Sequence, residues 1–214
     1  MLPAFDDLAP LRIMGIDPGT DTLGVSVLDV HLHCNTITLS FSNTFKGTQL
    51  ARDYRYVSQL HGDKIARLKA HEDNLARFMV QWCPHEIISE APYMGRFPAA
   101  YAALVECMTA IRNAVMRYDW YLKLFTADPP TVKNSVGVGG KSGDKTLMKE
   151  AIQRLFDESV ILNPNGIDID ALDEHSIDSI AVAYVRARHA ITTNTYRSHA
   201  PDGRLAPIGG GRAP

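Results

Sequence analysis

The stretch Leu11–Asp17, LRIMGID, constrains the fold more than any other part of the chain. It is an apolar run that ends on an acid, meets the breaker pair Pro18-Gly19, and resumes as a second apolar run, LGVSVLDV. Turn chemistry between two such runs predicts an antiparallel hairpin. In the second run Leu23, Val25 and Val27 alternate with Gly24 and Ser26, which is the period of a strand. A third strand is predicted in NTITLSFSN, with Ile37, Leu39 and Phe41 on one face.

Beyond the hairpins the period changes. From about Tyr56 to Trp82 the residues Ile65, Leu68, Leu75, Phe78, Met79 and Trp82 form a helical stripe, which Pro84 ends. EIISEAP reads as a short buried strand. FPAAYAALVECMTAIRNAVMRY reads as a second helix, with Tyr101, Leu104, Val105, Met108, Ile111 and Val115 on one side. YLKLFTA is a fifth strand, and Pro129-Pro130 opens a short helical turn. Two further helices are predicted, from about Asp144 to Phe156 and from about Ala171 to His189. The order βββ-α-β-α-β-α-α describes an α/β fold, a five-stranded mixed sheet with three antiparallel strands first and helices on both faces. We expect an extension over residues 1–10, one domain over 11–190, and a mobile tail over 191–214, where periodicity gives way to Gly, Pro, Arg and Ser.

The 214 residues, 45% of them apolar, suffice for one domain with a real core. A net charge of −2 supplies no global attraction to a polyanion, so any such site must be built locally. One basic cluster comprises Lys123, Lys133, Lys141, Lys145, Lys149 and Arg154, against Asp128, Asp144 and Glu150. Cys34, Cys83 and Cys107 lie far apart without CxxC spacing, which argues against a disulfide framework or a zinc knuckle and for a reducing cytoplasm. Asp6 and Asp7 stand where a secretion signal carries positive charge, and no apolar run approaches the roughly 20 residues that span a bilayer. A cytoplasmic protein without a membrane partner is expected.

Asp17 and Glu90 each close an apolar strand just before a breaker. A carboxylate held there is costly unless it is paired, hydrogen-bonded or bound to a cation. In LDEHSIDSIAVAYV, His175 and Asp178 are three apart on one helix face, while Ile177, Ile180, Ala181 and Tyr184 turn toward the sheet. Three carboxylates with one imidazole form a hard donor set that suits Mg²⁺ or Mn²⁺ better than zinc.

The glycine-rich NSVGVGGKSGDKTLMKEAI has the look of a nucleotide loop, and fails as one. A Gly-x-x-x-x-Gly-Lys-Ser/Thr loop ending at Gly140-Lys141-Ser142 needs glycine at Ser135, and DPPTVKNS intervenes where a buried strand should lead in directly. No nucleotide cofactor is expected.

Taken together, IMGIDPGTDTLGVSVLD, IISEAPYM, VKNSVGVGGKSGDKTLM and EHSIDSIAVAYVRARH resemble, in that order and at similar separations, the RuvC family of Holliday-junction resolvases. The resemblance spans roughly residues 11–190. It implies an RNase H-like fold, a homodimer, and divalent-metal hydrolysis of DNA phosphodiesters in four-way or branched junctions, with two Mg²⁺ (or Mn²⁺) ions per site. It places Asp17, Glu90, His175 and Asp178 as metal ligands and catalytic residues, His175 standing where other members carry Asp or His. Lys133 and Lys145 match the family's two basic residues, Lys145 beside the reacting phosphate. The loop is about two residues longer than in bacterial members, so Lys141 shares candidacy with Lys145. Tyr93, with Phe97 as competitor, matches an aromatic that meets bases at the junction centre, and the helix from about Pro98 to Arg117 matches the dimer-forming helix. A bacterial cell or a bacteriophage host is the implied setting. Three alternatives stay open: a sugar-kinase-like or Hsp70-like ATPase, for which the chain is too short; an RNase H-like nuclease acting on flaps or RNA–DNA hybrids; and a non-catalytic junction-binding protein.

Overall fold

The computed structural model describes residues 9–94, 97–140 and 146–198. β1 (Leu11–Asp17), β2 (Thr22–His31) and β3 (Thr36–Lys46) form an antiparallel meander. β4 (Glu86–Glu90) lies parallel to β1, and β5 (Leu124–Ala127) parallel to β4. The sheet has six strands rather than five, in the order β5-β4-β1-β2-β3-β6, because β6 (Ile161–Leu162) adds to the edge of β3. Two residues are too few to show alternation, so this strand leaves no trace in the sequence pattern.

The period-two alternation of β1 builds two cores at once. Met14 and Ile16 pack with α3 (Asp63–Trp82) and α4 (Pro98–Tyr118) through Leu68, Leu75, Met79, Met108 and Ile111. Ile13 faces the other way, into the core made with α5 (Pro129–Ser135), α6 (Thr146–Asp157) and α7 (Glu174–Ser198). Asp17 shares the parity of Ile13 and Gly15, and therefore points to the α7 side. Gly15 and Gly24 let α7 lie directly on the sheet, since a Cβ at Gly15 would collide with the Ser179 carbonyl and one at Gly24 with the His175 carbonyl.

Several expectations change in detail. Ile37 and Leu39 face the α7 core, but Phe41 packs in the opposite core with Phe78 and Trp82. Register passes from Phe41 opposite Val27 to Leu39 opposite Leu28, leaving Ser40 unpaired as a bulge that reverses the parity of β3. Ser40 Oγ donates to Asp29 Oδ2 (2.7 Å), which Arg12 also grips through Nη2 (3.0 Å) while its Nε holds Oδ1 (2.7 Å). The helix expected over 56–82 is broken at Gly62, whose φ of +87° ends α2 (Arg55–His61); α1 (Gly47–Leu50) and a 3₁₀ turn (Ala51–Tyr54) precede it. Ile65, next to this break, is 40% exposed rather than core. Val105 on α4 is likewise exposed.

α7 begins later than 171 because Asp173 takes the cap, its Oδ1 accepting from the Ser176 amide (2.9 Å). It runs to Ser198, past the expected tail boundary; residues 199–214 and 1–8 lie outside the described residues. The three cysteines are free. No helix among the described residues is long and apolar enough to cross a membrane.

Candidate active site

The sheet brings the ends of β1, β4 and β5 to one edge, with Glu90 level with Ala127. The first turn of α7 crosses this edge. Its position is fixed by side chains from the polar face of β3. Thr44 Oγ1 donates to Asp173 Oδ1 (2.5 Å) and bonds Ser176 Oγ (2.9 Å), and Ser42 Oγ donates to the Ser176 carbonyl (3.1 Å).

So held, His175 meets two partners. Its Nδ1 is 2.7 Å from Asp17 Oδ2, and its Nε2 is 2.7 Å from Thr22 Oγ1. Burial pushes the Asp17 carboxyl above its ordinary range, the His175 bond pulling the other way; that same bond pushes the imidazole up. Asp178, one turn further along α7, is pushed up to about 7 by burial and by the charges of Asp17 and Glu174, with His175 and Lys133 opposing. Glu90 is likewise pushed up to about 7 by burial and then by the charges of Asp17 and Asp178, with Lys133 pulling down. Three carboxyls thus stand close enough to resist one another's ionisation.

Among the described residues no group of three or more His, Cys, Asp or Glu side chains already stands in a metal-holding arrangement. Asp17 and His175 are in contact, and Glu90 and Asp178 neighbour them electrostatically, but the four do not form a ready coordination shell. The donor set nonetheless fits a divalent cation. Mutually repelling carboxyls, two of them with pKa values of about 7, are relieved by a nearby positive charge, and oxygen donors with one imidazole match Mg²⁺ or Mn²⁺.

Lys133 reaches this edge through α5, which starts directly after β5. Asp128 Oδ1 accepts from the Thr131 amide (2.9 Å) as its cap, and Pro129-Pro130 occupy the first positions. Lys133 is solvent-exposed, and its charge is felt by both Glu90 and Asp178. Tyr93 (60% exposed) and Phe97 (74%) stand on the connection after Glu90, rings turned out rather than buried. Lys141 and Lys145 lie outside the described residues.

Thr22 is the functional neighbour that sequence reasoning missed. The signal available was parity, since Thr22 is two before Gly24 on β2 and so shares the face against which α7 lies. Cys107 of α4 supports the same turn from the opposite core. Its Sγ contacts the Gly19 carbonyl at 3.5 Å, and burial together with the charge of Asp17 pushes the thiol up to about 12, keeping it an inert packing group.

No protein-family model matches the chain. A curated relative, the crossover junction endodeoxyribonuclease RuvC of a Polaromonas species, is 26% identical over 193 residues, covering 88% of this chain and 97% of the relative. Among solved structures, Thermus thermophilus RuvC in complex with a Holliday junction substrate superposes with a TM-score of 0.61 at 15% identity, covering 86% of this chain and 97% of that one. The yeast mitochondrial Holliday junction resolvase gives 0.62 at 15% identity, with coverages of 89% and 84%. The mixed sheet with helices on both faces is the RNase H-like fold of these structures.

Proposed function

We propose that this RuvC-like chain is a junction-resolving endodeoxyribonuclease that hydrolyses DNA phosphodiesters at four-way or other branched junctions in the cytoplasm. The observation that carries this reading is the crowding of Asp17, Glu90 and Asp178 at one sheet edge, where Glu90 and Asp178 are raised to about 7. Holding three carboxyls in mutual opposition costs stability and repays it only if cationic chemistry takes place between them.

Asp17, Glu90, His175 and Asp178 would hold Mg²⁺ or Mn²⁺, two ions per site, which supply Lewis-acid stabilisation of the phosphate and lower the pKa of attacking water. Glu90, whose pKa of about 7 belongs to the cation-free site, would be held ionised once a divalent cation shares its oxygens. Asp17 holds the imidazole of His175 from Nδ1 while Thr22 holds Nε2, so the ring is oriented before any substrate arrives. Lys133 brings positive charge beside the acids to meet the phosphate, with Lys141 and Lys145 as its proposed companions. The exposed rings of Tyr93 and Phe97 offer faces on which unpaired bases stack. Two copies joined through α4 would set two such edges about a twofold axis and nick symmetric strands; exposed Val105 and Met116 on that helix support a protein contact there.

The test is cleavage of labelled four-way junction, flap, linear duplex and RNA–DNA hybrid with Mg²⁺, using the parent and Asp17→Asn. Preferential cutting of the junction, lost in the variant, is expected. Preferential cutting of flap or hybrid would make the protein a general RNase H-like nuclease, and tight junction binding without cutting would make it a binding protein.

A further inference from the structure

On the β3 side of the same sheet end, α1, the 3₁₀ turn and α2 fold back over the start of α3 and leave a hollow of about 380 Å³. Arg52, Arg55 and Arg67 line it, with the hydroxyls of Thr48 and Ser58. Its scaffold is fixed independently of the arginines: Tyr54 Oη donates to Asp73 Oδ2 (2.8 Å) in the middle of α3, and the Ser58 hydroxyl bonds Asp63.

Two of the three arginines lack counterions among the described residues. Arg52 and Arg55 are exposed and make no hydrogen bond or ion pair among the described residues. Nε of Arg67 is buried without a hydrogen-bond partner among the described residues and forms only a long ion pair with Asp21 Oδ1 (3.9 Å). Asp63 also lines the hollow, accepting from the Ser58 hydroxyl, and leaves the three guanidiniums in excess of its one carboxylate. Three guanidiniums around one hollow repel one another, and an anion with several acceptor oxygens relieves that repulsion. Phosphate matches the planar fork of arginine.

The location says which phosphate. The Gly47 amide, at the start of α1, donates to the Asp21 carbonyl (2.5 Å), tying the hollow to the β1–β2 turn that carries Asp17 on one side and Thr22 on the other. α1 follows directly on the end of β3, which stands two strand spacings from the end of β1, about 10 Å, and the hollow is built beside α1 on the α3 face of the sheet. Among the described residues no aromatic ring lines the hollow to stack a base.

We infer that the Arg52–Arg55–Arg67 hollow binds a backbone phosphate of a DNA arm, away from the phosphate at Asp17. This rests on the nuclease reading. With Lys133 on the opposite side of the acids, it lets the protein grip DNA on both flanks of the reacting bond. Such a contact positions the strand without reading its sequence.

The experiment is equilibrium binding of a fluorescent four-way junction in EDTA, over about 50 to 200 mM KCl, for the parent and for Arg52→Gln/Arg55→Gln. The double variant should bind about tenfold more weakly at low salt. Its plot of log affinity against log salt should be shallower by about one unit, with unchanged melting temperature. Arg52→Lys/Arg55→Lys keeps the charge and should restore the slope while recovering only part of the affinity. Equal affinity and slope in parent and Gln variant overturn the inference. A parent that binds no DNA at all sinks the nuclease reading instead. In that case, melting shifts with inorganic phosphate, present in the parent and absent from the Gln variant, would reassign the hollow to a free phosphate and overturn the DNA-arm assignment.

Discussion

His175 Nδ1 and Asp17 Oδ2 lie 2.7 Å apart although 158 residues separate them in the chain. At that distance a proton sits between the two atoms, and a cation can take the nitrogen only when that proton leaves. The bond raises the imidazole's pKa above its ordinary 6.5.

Cleavage should therefore weaken on acidification sooner than an unperturbed histidine would dictate. Replacing His175 by Asp, which keeps a ligand but removes the imidazole proton, should move the acid limb of the pH–rate profile. Profiles of junction cleavage between about pH 5.5 and 8.5 check this, and identical limbs would remove His175 from the ligand set. Stability carries the opposite sign: the bond stabilises the fold fully below the unfolded histidine pKa, and that contribution fades as pH rises through the raised folded value.

Glu90 and Asp178 make a prediction in which activity and stability move apart. Their folded pKa values of about 7 lie above the unfolded ones, so both groups favour folding at low pH and lose that contribution as pH climbs from about 4 to about 7. In EDTA at about pH 8, Glu90→Gln should stabilise the protein by an amount on the order of 2 kcal/mol, read as a higher melting temperature. Junction cleavage should fall by at least about a hundredfold, with binding retained or tightened. Mg²⁺ should raise the parent's melting temperature more at about pH 8 than at about pH 5.5, because only the ionised acids attract it. Equal shifts at both pH values would argue against metal binding by these two residues.

Thr22 tests the orientation of the imidazole. Thr22→Val removes the hydroxyl at Nε2 and leaves a side chain of similar shape, so the ring can turn away from Asp17. Loss of such a support costs about 10–100-fold in metal affinity or activity. Mn²⁺ titration followed by electron paramagnetic resonance should show weaker binding in Thr22→Val and near-parental binding in Thr22→Ser.

Much of this site can be read from sequence, and what cannot has identifiable physical causes. Asp17 and Glu90 announce themselves because each interrupts an apolar strand beside a breaker, a purely local signal. The facing of His175 and Asp178 follows from helix parity. The bulge at Ser40 is hidden, because Phe41 continues the two-residue spacing of Ile37 and Leu39 and the bulged residue is stabilised by Asp29 on another strand. The break at Gly62 is hidden for a different reason: the residues on both sides keep a helical period, and only the positive φ separates the two helices. Thr22 is invisible until α7 is docked, since its partner is 153 positions away. The hollow of Arg52, Arg55 and Arg67 is invisible for the same reason, as it exists only once α1 and α2 fold over α3.

Gly24 ties the fold to the site, and its substitution separates packing from chemistry. A methyl group there would collide with the carbonyl of His175, and the backbone on both sides is fixed: β2 by its pairing with β1 and β3, and α7 by Thr44, Ser42 and the Asp173 cap. Gly24→Ala should thus destabilise the protein by about 1–3 kcal/mol in urea denaturation and push the first turn of α7 off the sheet. Because that turn carries His175 and Asp178, cleavage should drop well beyond what the unfolded fraction accounts for, by about tenfold or more at a temperature where the variant is fully folded. Ser26→Ala provides the contrast. Ser26 is fully buried two residues further along the same strand, and its hydroxyl has no hydrogen-bond partner among the described residues. Its removal should leave both stability and cleavage near the parental values. A folded Gly24→Ala that cuts junctions at the parental rate would show that the approach of α7 to β2 has no part in holding the acids at the sheet edge.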